Sequence, residues 1–143
     1  MPPVSKACAV PYRWSDHELE VLAFRHPLAG NQFVKGTVEH NEEPKVAACR
    51  ELREESGLSL TTIPIMLGVQ PVGNPSHQWG FFAFETRALP DRWDHWTGDG
   101  GGQTFSFFWH PLDQDLDEGW HPIFHEAFCT IRSALPRIVQ VKG

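Results

Sequence analysis

The sequence predicts a single α/β domain over residues 1–143, a mixed β-sheet with a helix on each face. Three observations predict it. Short apolar, β-branched and aromatic runs recur along the chain, each bounded by turn residues. Two longer stretches, residues 44–56 and 122–135, carry helix signals instead. The chain is 143 residues long, the size one core can organise, and shows no internal repeat or linker.

Taken in order, residues 6–12 (KACAVPY) form an opening strand, ended by a polar turn at 13–17. Residues 18–25 (ELEVLAFR) alternate in part and pair back as a hairpin. Residues 26–31 are loop, punctuated by Pro27 and Gly30, and residues 32–34 are a short strand. The first helix runs from Pro44 to Ser56. After it, residues 61–72 form a strand that Pro64 and Gly68 place at an edge or a bulge. Residues 73–76 turn, and residues 78–86 (QWGFFAFET) are a further strand. Residues 89–103 (LPDRWDHWTGDGGGQ) read as one long loop, followed by a strand at 104–109 and an acidic, exposed turn at 112–119. In the second helix Ile123, Phe124, Ala127, Phe128, Ile131 and Leu135 share one face, with Pro122 in its first turn.

Composition narrows the function. The net charge is −6 and no basic stripe is visible, so long nucleic acid is not an expected partner. A phosphorylated substrate would need its charge offset by something else, and a divalent cation held by carboxylates is the natural candidate. No run of about 18 apolar residues exists, so no membrane span is expected. The start, MPPVSKACAV, lacks the features of a secretion signal. Cys8, Cys49 and Cys129 are widely spaced, and each reads as a small buried hydrophobe. The cytoplasm is the expected location.

Residues 36–58, GTVEHNEEPKVAACRELREESGL, stand apart from the rest. Pro44 suits a first helical position, Glu42 and Glu43 suit the positive end of the helix dipole, and Gly57 followed by Leu58 suits a C-terminal cap. With Glu51 as origin and about 100° per residue, Glu55 lies at about 40° and Glu54 at about 300°, so three carboxylates share a sector. Val46, Cys49 and Leu52, at about 220°, 160° and 100°, centre on the opposite side and form the expected buried face. Arg53 is expected to reach out from the edge of the core. Two carboxylates about 5 Å apart repel by roughly 3 kcal/mol at an effective dielectric of about 20. Arg50 can offset part of this by pairing with Glu54, but one arginine cannot neutralise three acids. A hard cation such as Mg²⁺, which takes oxygen ligands and keeps waters for phosphate, would suit the cluster.

This stretch resembles the Nudix box: G, five residues, E, seven residues, then R-E-U-x-E-E-x-G-U, where U is a bulky aliphatic. Gly36, Glu42, Arg50, Glu51, Leu52, Glu54, Glu55, Gly57 and Leu58 occupy every fixed position. The resemblance implies an α/β/α sandwich with a mixed central sheet, covering essentially the whole chain. It further implies a hydrolase, dependent on Mg²⁺ or Mn²⁺, that cleaves the diphosphate linkage of a nucleoside diphosphate bonded to another group. On that resemblance Glu54 and Glu55 are metal ligands, Glu51 is a further ligand or the group that orients or deprotonates water, and Gly36 offers its carbonyl. Arg50 holds the glutamates, with Glu42. Asp99 is the best-placed candidate for an additional acid outside the box, with Glu85 behind it. Lys35, Trp79 and Phe124 are candidate substrate contacts, and Trp93 and Trp96 are further candidate stacking partners for a base.

Substrate choice is less legible. Pro75 lies one position beyond the place where relatives acting on ADP-ribose tend to carry a proline. The tyrosine that relatives acting on dinucleoside polyphosphates tend to carry is absent, since Tyr12 is the one tyrosine. The expected partner is a small nucleotide-type diphosphate, and a homodimer is an open option. The alternative reading is a nucleotide-sensing module on the same fold, which would usually have lost glutamates that are all present here. Isopentenyl diphosphate isomerisation would ask for a catalytic cysteine, and Cys49 falls on the wrong side of the helix.

Overall fold

The computed structural model describes residues 3–98 and 101–139. Among these residues, eight strands and two helices follow one another as β1 (Val4–Ser15), β2 (Glu18–His26), β3 (Gly30–Gln32), β4 (Val34–Thr37), α1 (Pro44–Ser56), β5 (Ile65–Val72), β6 (His77–Glu85), β7 (Trp93–Thr97), β8 (Gln103–Pro111) and α2 (Pro122–Ile138). The strands make one mixed sheet in the order β5-β6-β1-β2-β8-β7, with β3 added to β2 and β4 to β1. β1 and β6 run parallel, and the remaining pairs are antiparallel.

Alternation along the strands builds two cores. Cys8, Val10 and Tyr12 of β1, with Phe81 and Ala83 of β6, face one side, where Phe124, Phe128, Ile131 and Leu135 of α2 cover them. Ala7 and Ala9, with Phe82 and Phe84, face the other, where Ala47, Ala48 and Leu52 of α1 pack. Because both faces are covered, the central strands read as nearly continuous apolar runs rather than clean alternations. The expected helix–sheet–helix sandwich is thus the observed one.

Several boundaries differ from expectation. The first hairpin is tighter: β1 extends to Ser15, and Asp16 and His17, both at positive φ (49° and 67°), make the two-residue connection that matches strand twist. β5 is an edge strand whose register shifts between Met66 and Gly68, as Pro64 and Gly68 imply. The expected loop over 89–103 is corrected by β7, which pairs with β8 from Trp93↔Phe107 to Thr97↔Gln103. Its polar residues Asp94 and His95 hide the strand pattern, since an edge strand needs little burial on its outer flank. α2 continues past Leu135 through Pro136, near its C-terminal end. Of the cysteines, Cys8 alone is buried; Cys49 is half-buried and Cys129 exposed, which corrects the expectation for those two. Among the described residues, no helix is long and apolar enough to cross a membrane.

Candidate active site around α1

The helix α1 begins and ends where its sequence signals say. Pro44 occupies the first turn, and Gly57, at φ 79°, caps the C-terminus with its N–H donating to the Arg53 carbonyl. Its orientation corrects the sequence reading. The buried residues are Ala47, Ala48, Glu51, Leu52, Glu55 and Ser56, whereas Val46 is 51% exposed. Measured on the same wheel, Glu55 lies in the middle of the buried face. Glu51 and Glu55 therefore point toward the sheet, not away from it, while Glu54 is half-buried at the edge of that face. Arg53 is exposed, as expected.

Arg50 makes the burial of Glu51 tolerable. Its Nε donates to Glu42 Oε2 at 2.8 Å and its Nη2 to Glu42 Oε1 at 3.0 Å, a forked pair. Nη2 also donates to the Thr37 carbonyl at 2.9 Å, at the end of β4. Nη1 donates to Glu51 Oε1 at 2.7 Å and to Glu54 Oε2 at 3.2 Å, with Glu39 Oε1 at 3.7 Å. One guanidinium thereby ties the strand end, the loop and two helical carboxylates together. The Arg50 bonds, aided by the Glu39 N–H, hold the Glu42 carboxyl down at about 2. Pairing with Glu42 in turn pushes the Arg50 guanidinium further up. Thr37 and Glu39 have no distinguishing sequence signal and were not anticipated.

Gly36 faces the same carboxylates. β4 pairs with β1 so that Gly36 lies opposite Ala7, on the α1 side of the sheet, and a Cβ on Gly36 would fall within the Glu51 carboxylate. Among the described residues, no three acidic, histidine or cysteine side chains converge on one point as they stand. One oxygen each of Glu51 and Glu54 accepts from Arg50 instead. The chemistry of the donor set still suits a hard divalent cation: Glu51, Glu54 and Glu55 carry carboxylate oxygens, and the Glu51 carboxylate lies in the space that a Gly36 side chain would fill.

The other candidates are placed as follows. Lys35 pairs across from Cys8, so its side chain lies on the α2 side of the sheet, with Nζ 5.6 Å from the centre of the Trp79 ring. Burial lowers its pKa, Lys6 adds to that, and Glu55 opposes it. Trp79 and Phe124 are 3% and 2% exposed and pack edge to face at 6.1 Å in the α2-side core. Both rings are thus part of the α2-side core in this structure. Trp93 is half-buried and stacked on Phe107, and Trp96 is 65% exposed. Glu85 pairs with Tyr12, five residues along β1 from the partner of Gly36. At about 3.3 Å per residue, that displaces Glu85 by about 16 Å along the strand direction from Gly36. Asp99 lies outside the described residues. His121 caps α2 by accepting from the Ile123 N–H, and His125 bonds the Asp117 carbonyl.

Comparison with known proteins bears on the family and the fold. The family model described as NUDIX domain matches residues 5–128. No protein of curated function matches the sequence. Among solved structures, the NUDIX domain of Shewanella oneidensis NrtR complexed with ADP ribose superposes with a TM-score of 0.64 at 13% identity, covering 94% of this chain and 90% of that one. A C. elegans Ap4A hydrolase binary complex gives 0.66 at 15% identity, covering 95% and 100%. The Bacillus subtilis pyrophosphohydrolase BsRppH gives 0.67 at 17% identity, covering 96% and 84%. At these identities the likeness is one of fold.

Proposed function

The chain belongs to the Nudix family, and from that premise we propose that it is a cytoplasmic, Mg²⁺- or Mn²⁺-dependent hydrolase that cleaves the diphosphate linkage of a nucleoside diphosphate bonded to another group. The observation that carries this reading is the meeting of Gly36 with Glu51, a carboxylate that faces the sheet and is braced by Arg50. A protein that only needed a stable helix would not bury glutamates against a strand.

Glu51, Glu54, Glu55 and the Gly36 carbonyl would hold the cation. When bound, it supplies positive charge against the diphosphate oxygens and acidifies water. Water attacks one phosphorus, the bond from that phosphorus to the bridging oxygen breaks, and two phosphate-ended products leave. Glu51, shielded from solvent beside Gly36, is the proposed acceptor of the proton lost by the attacking water. Arg50 orients Glu51 and Glu54 so that their oxygens need not reorganise during the reaction. Asp99 remains the proposed additional acid, on sequence grounds.

A screen of nucleoside triphosphates, ADP-ribose, NADH and dinucleoside polyphosphates with Mg²⁺, following released phosphate or monophosphate, tests the reading. Glu54→Gln should lose at least about tenfold in rate while staying folded. Equal turnover by wild type and Glu54→Gln would refute the metal assignment. Binding of a nucleotide with no turnover by wild type would favour the sensing module instead. Asp99→Asn tests the additional acid, which an unchanged rate would move elsewhere.

A further inference from the structure

We propose that Trp93 is a positioning residue for the carboxylates of α1, a role that rests on the hydrolase reading above. The Trp93 indole N–H donates to the Ser56 carbonyl at 3.1 Å. Ser56 directly follows Glu55, and its carbonyl is among the last four of the helix, which have no partner within it. The indole is itself held flat, stacked on Phe107 with centroids 5.2 Å apart and planes 9° apart. Phe107 is buried and packs on Phe24 in the α1-side core. Two residues along the same face of β7, His95 lies against Gly57, where an added Cβ would sit 2.9 Å from its Nδ1. The last turn of α1 is therefore gripped at Ser56 and Gly57 by one edge strand.

The grip bears on chemistry because the acids sit at the end of a lever. A roll of the helix by about 10° moves a group at a radius of about 6 Å by about 1 Å. A displacement of that size can cost about a hundredfold in rate. Arg50 restrains Glu51 and Glu54 from the loop side, but none of its hydrogen bonds reaches Glu55. Trp93 restrains the turn that carries Glu55 from the opposite side, through the peptide next to it.

Trp93→Phe keeps a ring on Phe107 and removes the N–H. Mn²⁺ binding, followed by electron paramagnetic resonance without substrate, gives a readout independent of turnover. The variant should bind Mn²⁺ at least about threefold more weakly. On the substrate turned over fastest in the screen it should lose at least about tenfold in kcat, with KM within about twofold. Ile131→Val, in the α2-side core, supplies a stability control and should change neither quantity. Should Trp93→Phe fail to fold, replacing Trp93 by its benzothienyl isostere, with sulfur in place of N–H, carries the same test. Wild-type Mn²⁺ affinity and kcat in the folded variant would overturn the proposal, as would an equal loss in Ile131→Val. Glu54→Gln separates the two ideas. If it loses Mn²⁺ while the Trp93 variants do not, only the positioning role falls. If it binds Mn²⁺ like wild type, the metal reading falls and takes the positioning role with it.

Discussion

Gly36 and Glu51 compete for one space: the carboxylate of Glu51 occupies the volume that a side chain at position 36 would need. The two residues come from different elements, β4 and α1, and lie fifteen positions apart. The glycine is required for close approach, not for an unusual backbone angle, since Gly36 is not among the glycines at positive φ.

Gly36→Ala should therefore fold but misplace Glu51. The added methyl meets the far end of a flexible side chain, which can swing out only by leaving its bond to Arg50. Circular dichroism should match wild type, with a stability loss of about 1–2 kcal/mol. The rate should drop at least about tenfold. A rate equal to wild type would show that Glu51 is not needed where it stands.

Arg50→Lys should be far from conservative. Lysine keeps the charge but cannot reproduce the fork onto Glu42 while also reaching Thr37, Glu51 and Glu54. The expected loss is about 2 kcal/mol in chemical denaturation, together with at least about tenfold in kcat. Denaturation and steady-state kinetics on one preparation check both.

The Glu42–Arg50 pair predicts an acid limb in stability. The Glu42 carboxyl titrates at about 2 when folded, against an ordinary value of 4.5. Because the folded value is depressed, the unfolded chain takes up the proton first. The stabilisation is thus fully present above the ordinary value and is lost as pH falls from there through about 2. In a ¹³C titration the Glu42 carboxyl should show its midpoint at about 2. The stability gap between wild type and Glu42→Gln should be wide at pH about 6 and should close toward pH about 2.

The aromatic residues should divide by burial. Phe124→Ala removes a ring packed against Phe33 and Trp79 and should cost about 3–4 kcal/mol in stability. Trp96→Ala removes a ring that is mostly in solvent and should change stability by less than about 0.5 kcal/mol. If Trp96 stacks on a base, KM rises with kcat unchanged; no change in KM removes it from the substrate contacts.

The sequence by itself determined whatever depends on neighbours along the chain. Pro44 and Gly57 bounded α1 because they act on the backbone within one turn, and the observed helix has those bounds. The spacing from Gly36 to Leu58 identified the family for the same reason: a loop and helix of set length bring a strand glycine and helical acids together. The apolar face of α2 was legible because Phe124, Ala127, Phe128, Ile131 and Leu135 recur at helical spacing, and all are buried.

Tertiary structure alone decided which way α1 faces. Its apolar pattern is weak, so rotation is set by what the sheet and the preceding loop offer: small space beside Gly36, alanines Ala47 and Ala48 against β-strands, and Arg50 fixed by Glu42 and Thr37. Those partners make the burial of Glu51 tolerable, and hydropathy read along the helix cannot weigh them. The same holds for β7, whose pairing with β8 outweighs its polar residues, and for Trp79, whose side of the sheet depends on strand register. Burial is a property of the assembled layers, and it was the layers that turned the acids inward.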